Sequence, residues 1–369
     1  MSPHVLRPDS GRRSSRRRTA AVLLALLATV GVLAGCTRAD ESGTAAGETS
    51  PAAEVRLGYF PNITHAPALI GVEQGLFAEE LGDTTLTPQT FNAGPDQVNA
   101  LLGGSIDVSF IGSGPTINAF AQSNGEAVRL VAGSTSAGAQ LVVSPDITSP
   151  EQLRGKTIAT PQLGNTQDVA LKTWLSEQDI PIGDGPDAVT VQNIENPQTL
   201  DLFRSGQVAG GWLPEPWSSR LVDAGASVLL DERELWENGE FPTTVIIVRT
   251  EFLRDHPETV EAILRGEQRA IELIRDQPDE AKTVTNAAIE EITGNALAQP
   301  ILDRAFTELT FDSDPLAGTF PQLAQDAVTA GVADSAADLN GLVDLTALNT
   351  VRESAGEPAA DPAGLAAAN

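Results

Sequence analysis

A single cysteine, Cys36, a single tyrosine, Tyr59, and three histidines are all this 369-residue chain carries of the side chains most used in metal binding and covalent catalysis. With one thiol, no internal disulfide framework and no cysteine metal cluster can form. His4, His65 and His256 lie far apart and show none of the close spacing that sets two histidines on one helix face as metal ligands. A Gly-x-Ser-x-Gly nucleophile elbow is missing too. No metal and no cofactor are expected. Positive charge is equally scarce: lysine and arginine total 23 against 50 acids, the lysines being Lys156, Lys172 and Lys282, and the formal net charge is −27. Such a surface repels phosphate backbones and anionic headgroups, so nucleic acid and the bare lipid surface are excluded as partners.

The positive charge that is present concentrates at the N-terminus. Arg12, Arg13, Arg16, Arg17 and Arg18 precede an apolar run over 20–33, followed by Leu33-Ala34-Gly35-Cys36. The run falls short of the roughly 18 to 20 residues a membrane span needs and reads as an export signal over 1–35. Small residues at Ala34 and Gly35 admit a peptidase, and the pattern resembles the lipobox of bacterial lipoproteins. That resemblance implies a lipid on Cys36, holding the mature chain at the outer face of the cytoplasmic membrane, with the membrane a partner through this anchor alone. The alternative is a free cysteine in an ordinary transmembrane anchor. Arg16 and Arg17 leave a twin-arginine export route open beside the general one. Losing 1–35 removes six arginines and one aspartate, so the mature chain is more acidic still.

Residues 36–53 and 353–369 offer too little bulky apolar surface to offset the entropy of ordering, and are expected as a flexible tether and a disordered tail. Between them strand and helix patterns alternate, the signature of α/β layers. Strands are expected at 55–59, 85–91, 106–111, 128–132, 140–143, 157–160, 189–193, 209–213, 227–229 and 243–248. Helices are expected at 65–77, 96–102, through Pro115 to 121, and at 167–178, 197–205, 216–224 and 257–275. The last carries Val260, Ile263, Leu264, Ile271 and Ile274 on one face. Length favours two lobes: lobe one from 54–144 with 242–352, lobe two from 145–241. The strand at 243–248 is expected beside 140–143, so that two extended crossings form a hinge.

Four loops follow strands and present glycine or small hydroxyl residues at or before helix starts: 59–65, 112–116, 134–138 and 164–168. They contain Tyr59, Asn62 and His65; Ser113 and Gly114; Ser134 and Ser136; and Asn165, Thr166 and Asp168. A helix N-terminus offers unpaired N–H groups and about half a positive charge, so several facing one cleft make an anion site. Each glycine alone is also compatible with an ordinary turn. Their joint place at strand C-termini, where open α/β sheets bind ligands, is what points to function.

Four segments carry a wider likeness: Val55-Arg56-Leu57-Gly58-Tyr59-Phe60 with Gly71-Val72-Glu73-Gln74-Gly75-Leu76-Phe77, Gly104-Ser105-Ile106-Asp107-Val108, Leu153-Arg154-Gly155-Lys156-Thr157-Ile158-Ala159, and Trp212-Leu213-Pro214-Glu215-Pro216-Trp217. As a set they resemble the nitrate/sulfonate/taurine family of ABC-transporter substrate-binding proteins. The resemblance implies a type II periplasmic-binding-protein-like α/β fold, its two lobes joined by two crossover strands and closing on a solute. It also implies an ABC permease with its ATPase as partner, and a monomer. Carried over by position, Ser113, Gly114, Ser134, Ser136, Asn165 and Thr166 hold an anionic head, while Trp212, Glu215 and Trp217 line the lobe-two wall. The solute stays open: an aliphatic sulfonate or taurine first, nitrate, bicarbonate or a thiamine-precursor pyrimidine as alternatives. Asp168 either serves its helix dipole or, like Glu215, points into the cleft to pair an ammonium group. The tryptophans cover an alkyl chain or are plain core, and Tyr59 and Phe60 at the mouth carry the same ambiguity.

Relatives of this fold include enzymes, so turnover is the competing reading. His65 alone lies near the expected cleft, where it suits a hydrogen-bond partner better than a base. The thiamine-precursor enzymes of this fold use a cysteine-rich motif, and no spare cysteine exists here. A binding protein and not an enzyme is expected, with a sensor or scaffold lipoprotein as the third class.

Overall fold

The computed structural model describes residues 50–367; the export signal, Cys36 and most of the expected tether lie outside the described residues. Eleven strands in chain order, β1 (Glu54–Tyr59), β2 (Thr85–Thr90), β3 (Val108–Ile111), β4 (Val128–Ala137), β5 (Ala139–Val143), β6 (Thr157–Thr160), β7 (Thr190–Asn193), β8 (Gly210–Pro214), β9 (Ser227–Asp231), β10 (Pro242–Arg249) and β11 (Leu309–Phe311), build two sheets. The six-stranded sheet runs β11-β4-β10-β3-β1-β2 and the five-stranded sheet β7-β6-β8-β5-β9. Parallel neighbours such as β1–β2, β1–β3, β6–β7 and β6–β8 are joined through helices, as parallel pairing requires. This is the mixed α/β, two-lobe architecture that the alternating patterns predict.

Six helices position the site: α1 (Ala66–Glu73), α2 (Leu76–Leu81), α3 (Gly94–Leu102), α4 (Ser113–Gln122), α5 (Thr166–Glu177) and α6 (Asn196–Arg204). The helix expected over 65–77 is divided into α1 and α2. Gly75 turns the chain at φ 69°, and a side chain on Gly71 would meet the Phe77 ring at 2.3 Å, so the two halves fold back on one another. The remaining helices are α7 (Trp217–Asp223), α8 (Thr250–Asp255), α9 (Pro257–Asp276), α10 (Pro278–Thr293), α11 (Gln299–Thr307), α12 (Phe320–Thr329) and α13 (Thr346–Ser354). Helix α9 buries Val260, Ile263, Leu264, Ile271 and Ile274 as its period predicts, and all but Ile271 pack into a lobe-one core with Phe77 and Phe110. Lobe two has its own core around Leu141, Ile158, Leu171, Trp174 and Trp212. No helix among the described residues is long and apolar enough to cross a membrane.

Three expectations need correcting. The first crossing lies at Ala137–Gly138, both at positive φ, so β5 already belongs to the second sheet, and the lobe boundary falls before 144. Strand β10 pairs with β3 and β4 and not with 140–143; the returning chain meets the departing one where Ala137 N donates to Phe241 O at 3.1 Å. The residues expected as a disordered tail are ordered through 367. Ala360 is buried, Val343 bridges Ala366, and the buried Arg352 donates Nε to Pro358 O at 2.7 Å. A few well-placed contacts onto α13 hold a segment whose composition alone promises nothing.

Candidate functional site

The C-terminal ends of six strands, three parallel in each sheet, face one small cavity of about 30 Å³. Phe60, Asn62, Thr64 and His65 follow β1; Asn92, Ala93 and Gly94 follow β2; Gly112 and Pro115 follow β3. From lobe two come Pro161, Asn165, Thr166 and Gln167 after β6 and Asn196 after β7, while Pro214 ends β8. The N-termini of α3, α4, α5 and α6 thus open onto one space, which sums four positive dipole ends. None of the lining residues is Asp, Glu, Lys or Arg.

The side chains are arranged as neutral donors. His65 is buried and stacked on Phe60 with ring centroids 4.3 Å apart. Its Nδ1 accepts the Phe60 N–H at 3.3 Å, which leaves the proton on Nε2, and burial lowers its pKa to about 3. At neutral pH this is an uncharged N–H donor. Ser113, in the first turn of α4, has a fully buried hydroxyl with no protein partner, and Asn196 Oδ1 is likewise buried and unpartnered. Buried polar groups are rarely left so; Asn196 lines the cavity, and Ser113 lies between the lining residues Gly112 and Pro115.

The two lobes touch at the cavity edge. Gly114 N donates to Thr166 Oγ1 at 3.3 Å, joining the α4 and α5 N-termini across the cleft. A Cβ on Gly112 would lie 2.5 Å from Thr166 Oγ1, and one on Gly114 3.3 Å from the Thr166 backbone. Both glycines are needed for close approach, whatever their φ. Asn165 caps α5 by accepting from Asp168 N at 2.9 Å. A wide groove of about 1340 Å³ opens beyond this contact, walled by α4, α5, α12 and residues 232–240.

Of the expected site residues, Asn62, His65, Gly114, Asn165 and Thr166 come together around this edge, with Ser113 directly behind it. Others do not. Tyr59 is buried in the lobe-one core, where burial raises its pKa. Ser134 and Ser136 lie within β4, held on both sides by β10 and β11, so the third loop is strand and starts no helix; Ser134 sits beside the buried Glu267 carboxyl. Asp168 is fully buried and spent on structure, accepting from Thr160 Oγ1, Asn193 Nδ2, Gly164 N and Lys172 Nζ at 2.7–2.9 Å. Glu215 is buried against Arg304. Trp212 is core: its Nε1 donates to the buried Glu232 at 2.7 Å and its ring meets Trp174 edge-on. Trp217 reaches the cavity only from behind, donating Nε1 to Asn62 Oδ1 at 3.0 Å. The condition set for ammonium pairing by Asp168 or Glu215 is therefore not met.

Asn92, Gly94, Gln167 and Asn196 escape the sequence reading. Asn92-Ala93-Gly94-Pro95 and Asn196-Pro197 carried the same signal as the loops that were found, a strand end followed by a proline-opened helix.

Comparison with known proteins follows the same lines. The taurine-binding periplasmic protein of Escherichia coli K12 is 30% identical over 203 residues, 54% of this chain and 60% of that protein. A putative aliphatic sulfonates-binding protein of Bacillus subtilis is 25% identical over 266 residues, 70% of this chain and 75% of that one. Among solved structures, the alkanesulfonate-binding protein of Xanthomonas axonopodis pv. citri bound to MOPS superposes with TM-score 0.62 at 20% identity, covering 77% of this chain and 93% of that one. The periplasmic nitrate-binding protein of Synechocystis PCC 6803 superposes with TM-score 0.65 at 16% identity, covering 82% and 89%. At these identities the structures speak for the fold, that of periplasmic binding proteins. A family model matches residues 48–289, well over half of the sequence, and the chain belongs to the NMT1-like family.

Proposed function

We propose that this protein is the extracytoplasmic receptor of an ABC importer, held by a lipid on Cys36, and that it captures a small oxyanion or the anionic head of a small organic sulfonate. One observation carries the reading: four helix N-termini and the neutral His65 converge on a cavity lined by no charged side chain. Such a site selects negative charge through oriented dipoles, which act at short range and hold despite a mature chain more acidic than the −27 of the full sequence. The lobes close around the anion, and transport energy comes from the partner ATPase. Binding, not turnover, is the role: the only histidine at the cavity is neutral with Nδ1 committed.

Taurine is the second reading, favoured by the E. coli relative. Against it, an ammonium group two carbons from the sulfonate finds no carboxylate in the cavity wall. A thermal-shift panel of methanesulfonate, nitrate, bicarbonate, taurine and a pyrimidine precursor separates these readings. Methanesulfonate or nitrate should stabilise most, by about 2.7 kcal/mol at a hundredfold excess over its Kd. Taurine as the strongest stabiliser would overturn the oxyanion preference, and no response to any of them would overturn capture.

A further inference from the structure

Besides the two crossing strands, α11 links the lobes. Its apolar face, Leu302, Ala305 and Phe306, is buried in the lobe-one core, while Arg304 reaches into lobe two. Nη1 of Arg304 donates to Glu215 Oε1 at 2.9 Å and to Ser219 Oγ at 2.7 Å, and Nη2 to Gln140 Oε1 at 2.6 Å. Glu215 is fully buried; its other oxygen accepts Ser219 N–H at 3.3 Å, and Arg304 is its one ion-pair partner among the described residues. Nearby, Gln140 Nε2 donates to Asp231 Oδ2 at 2.8 Å and Arg233 Nη2 to Glu308 O at 2.7 Å. All this lies on the hinge side. Gln140 is two residues past Gly138, and Leu309 pairs with Ala137 so closely that a Cβ on Gly138 would meet its side chain at 2.1 Å.

The cleft edge is built differently. There the lobes share three neutral bonds: Gly114 N to Thr166 Oγ1 at 3.3 Å, Trp217 Nε1 to Asn62 Oδ1 at 3.0 Å and Thr173 Oγ1 to Asp326 O at 3.0 Å, each individually weak. Separating a buried carboxylate from its only cation leaves an uncompensated buried charge and costs more than giving up a neutral hydrogen bond. Cleft opening therefore gives up the neutral bonds at the edge before the ion pair at the hinge. We propose that Arg304 is a positioning residue for closure: it pins lobe two to α11 at a pivot that stays bonded while the cleft opens between Gly114 and Thr166. This rests on the closure reading above.

Hydrogen exchange on the full chain tests it, with and without a saturating concentration of methanesulfonate or nitrate, whichever stabilises more in the thermal screen. Amides of 112–116 and 164–168 should slow tenfold or more with the anion, whereas Ser219, whose N–H bonds Glu215, should change less than twofold. Equal slowing at Ser219 would mean that the pair opens with the cleft, and the pivot is wrong. No slowing at 112–116 and 164–168 with anion bound would instead remove closure itself, and the pivot with it. The double variant Arg304→Met/Glu215→Gln removes the pair without stranding a buried charge. It should melt within a few degrees of the native chain, exchange Ser219 at least tenfold faster when free, and bind the anion at least tenfold more weakly. Native affinity in this folded variant would reduce Arg304 to packing and overturn the proposal.

Discussion

His65 owes its donor role to one backbone bond: with Nδ1 taken by Phe60 N–H, the ring's one N–H is at Nε2. Because burial holds its pKa at about 3, the ring stays neutral through the physiological range. Methanesulfonate affinity should accordingly be flat from pH 5 to 8 by calorimetry; a step between pH 6 and 7 would mean that His65 titrates. The same shift affects stability, since the unfolded chain takes up a proton below about 6.5 and the folded chain only near 3, a loss of up to about 5 kcal/mol on acidification. Glu232 works in the opposite direction. Burial pushes its pKa up to about 8, so the unfolded carboxyl ionises from about pH 4.5 upward while the folded one resists, and stability falls as pH rises through that window. Glu232→Gln keeps the Trp212 acceptor without the charge, and should melt several degrees above the native chain at pH 8 but not at pH 4.5. Neither shift is legible in sequence, because burial depends on what the rest of the chain places around a residue.

Helix starts are the level at which the site was most legible. Loops 112–116 and 164–168 carry their signals locally, in small residues ahead of a helical run, and both became helix N-termini at the cavity. Loop 134–138 carried similar residues and became strand, because β10 and β11 take its backbone bonds from either side; no local signal reports a partner 100 residues away. Thr166 stands where α4 and α5 nearly touch. Replacing it with phenylalanine should weaken anion binding at least a hundredfold while leaving the melting point within a few degrees, and unchanged affinity would remove the α4–α5 edge from the site. Asp168→Ala, which strands the Lys172 ammonium and frees Gly164, Thr160 and Asn193, should cost about 3 kcal/mol in denaturant unfolding.

For the whole molecule, the proposed capture of an anion by a chain of net charge −27 sets two electrostatic ranges against each other. Repulsion acts over tens of ångströms and is screened by salt; the helix ends act at contact and are not. The association rate for methanesulfonate in stopped flow should therefore rise between 10 and 150 mM salt, and a fall would place an unseen cation near the mouth. Charge balance, alternating α/β order, two lobes and several of the helix starts were determined by sequence alone, because periodicity, capping and turn chemistry are short-range. Tertiary structure decided which carboxylates and tryptophans are spent on the core, where the chain crosses between lobes, and that Arg304 meets Glu215 from 89 residues away. Those outcomes turn on desolvation and pairing between distant segments, which exist only once the chain has folded.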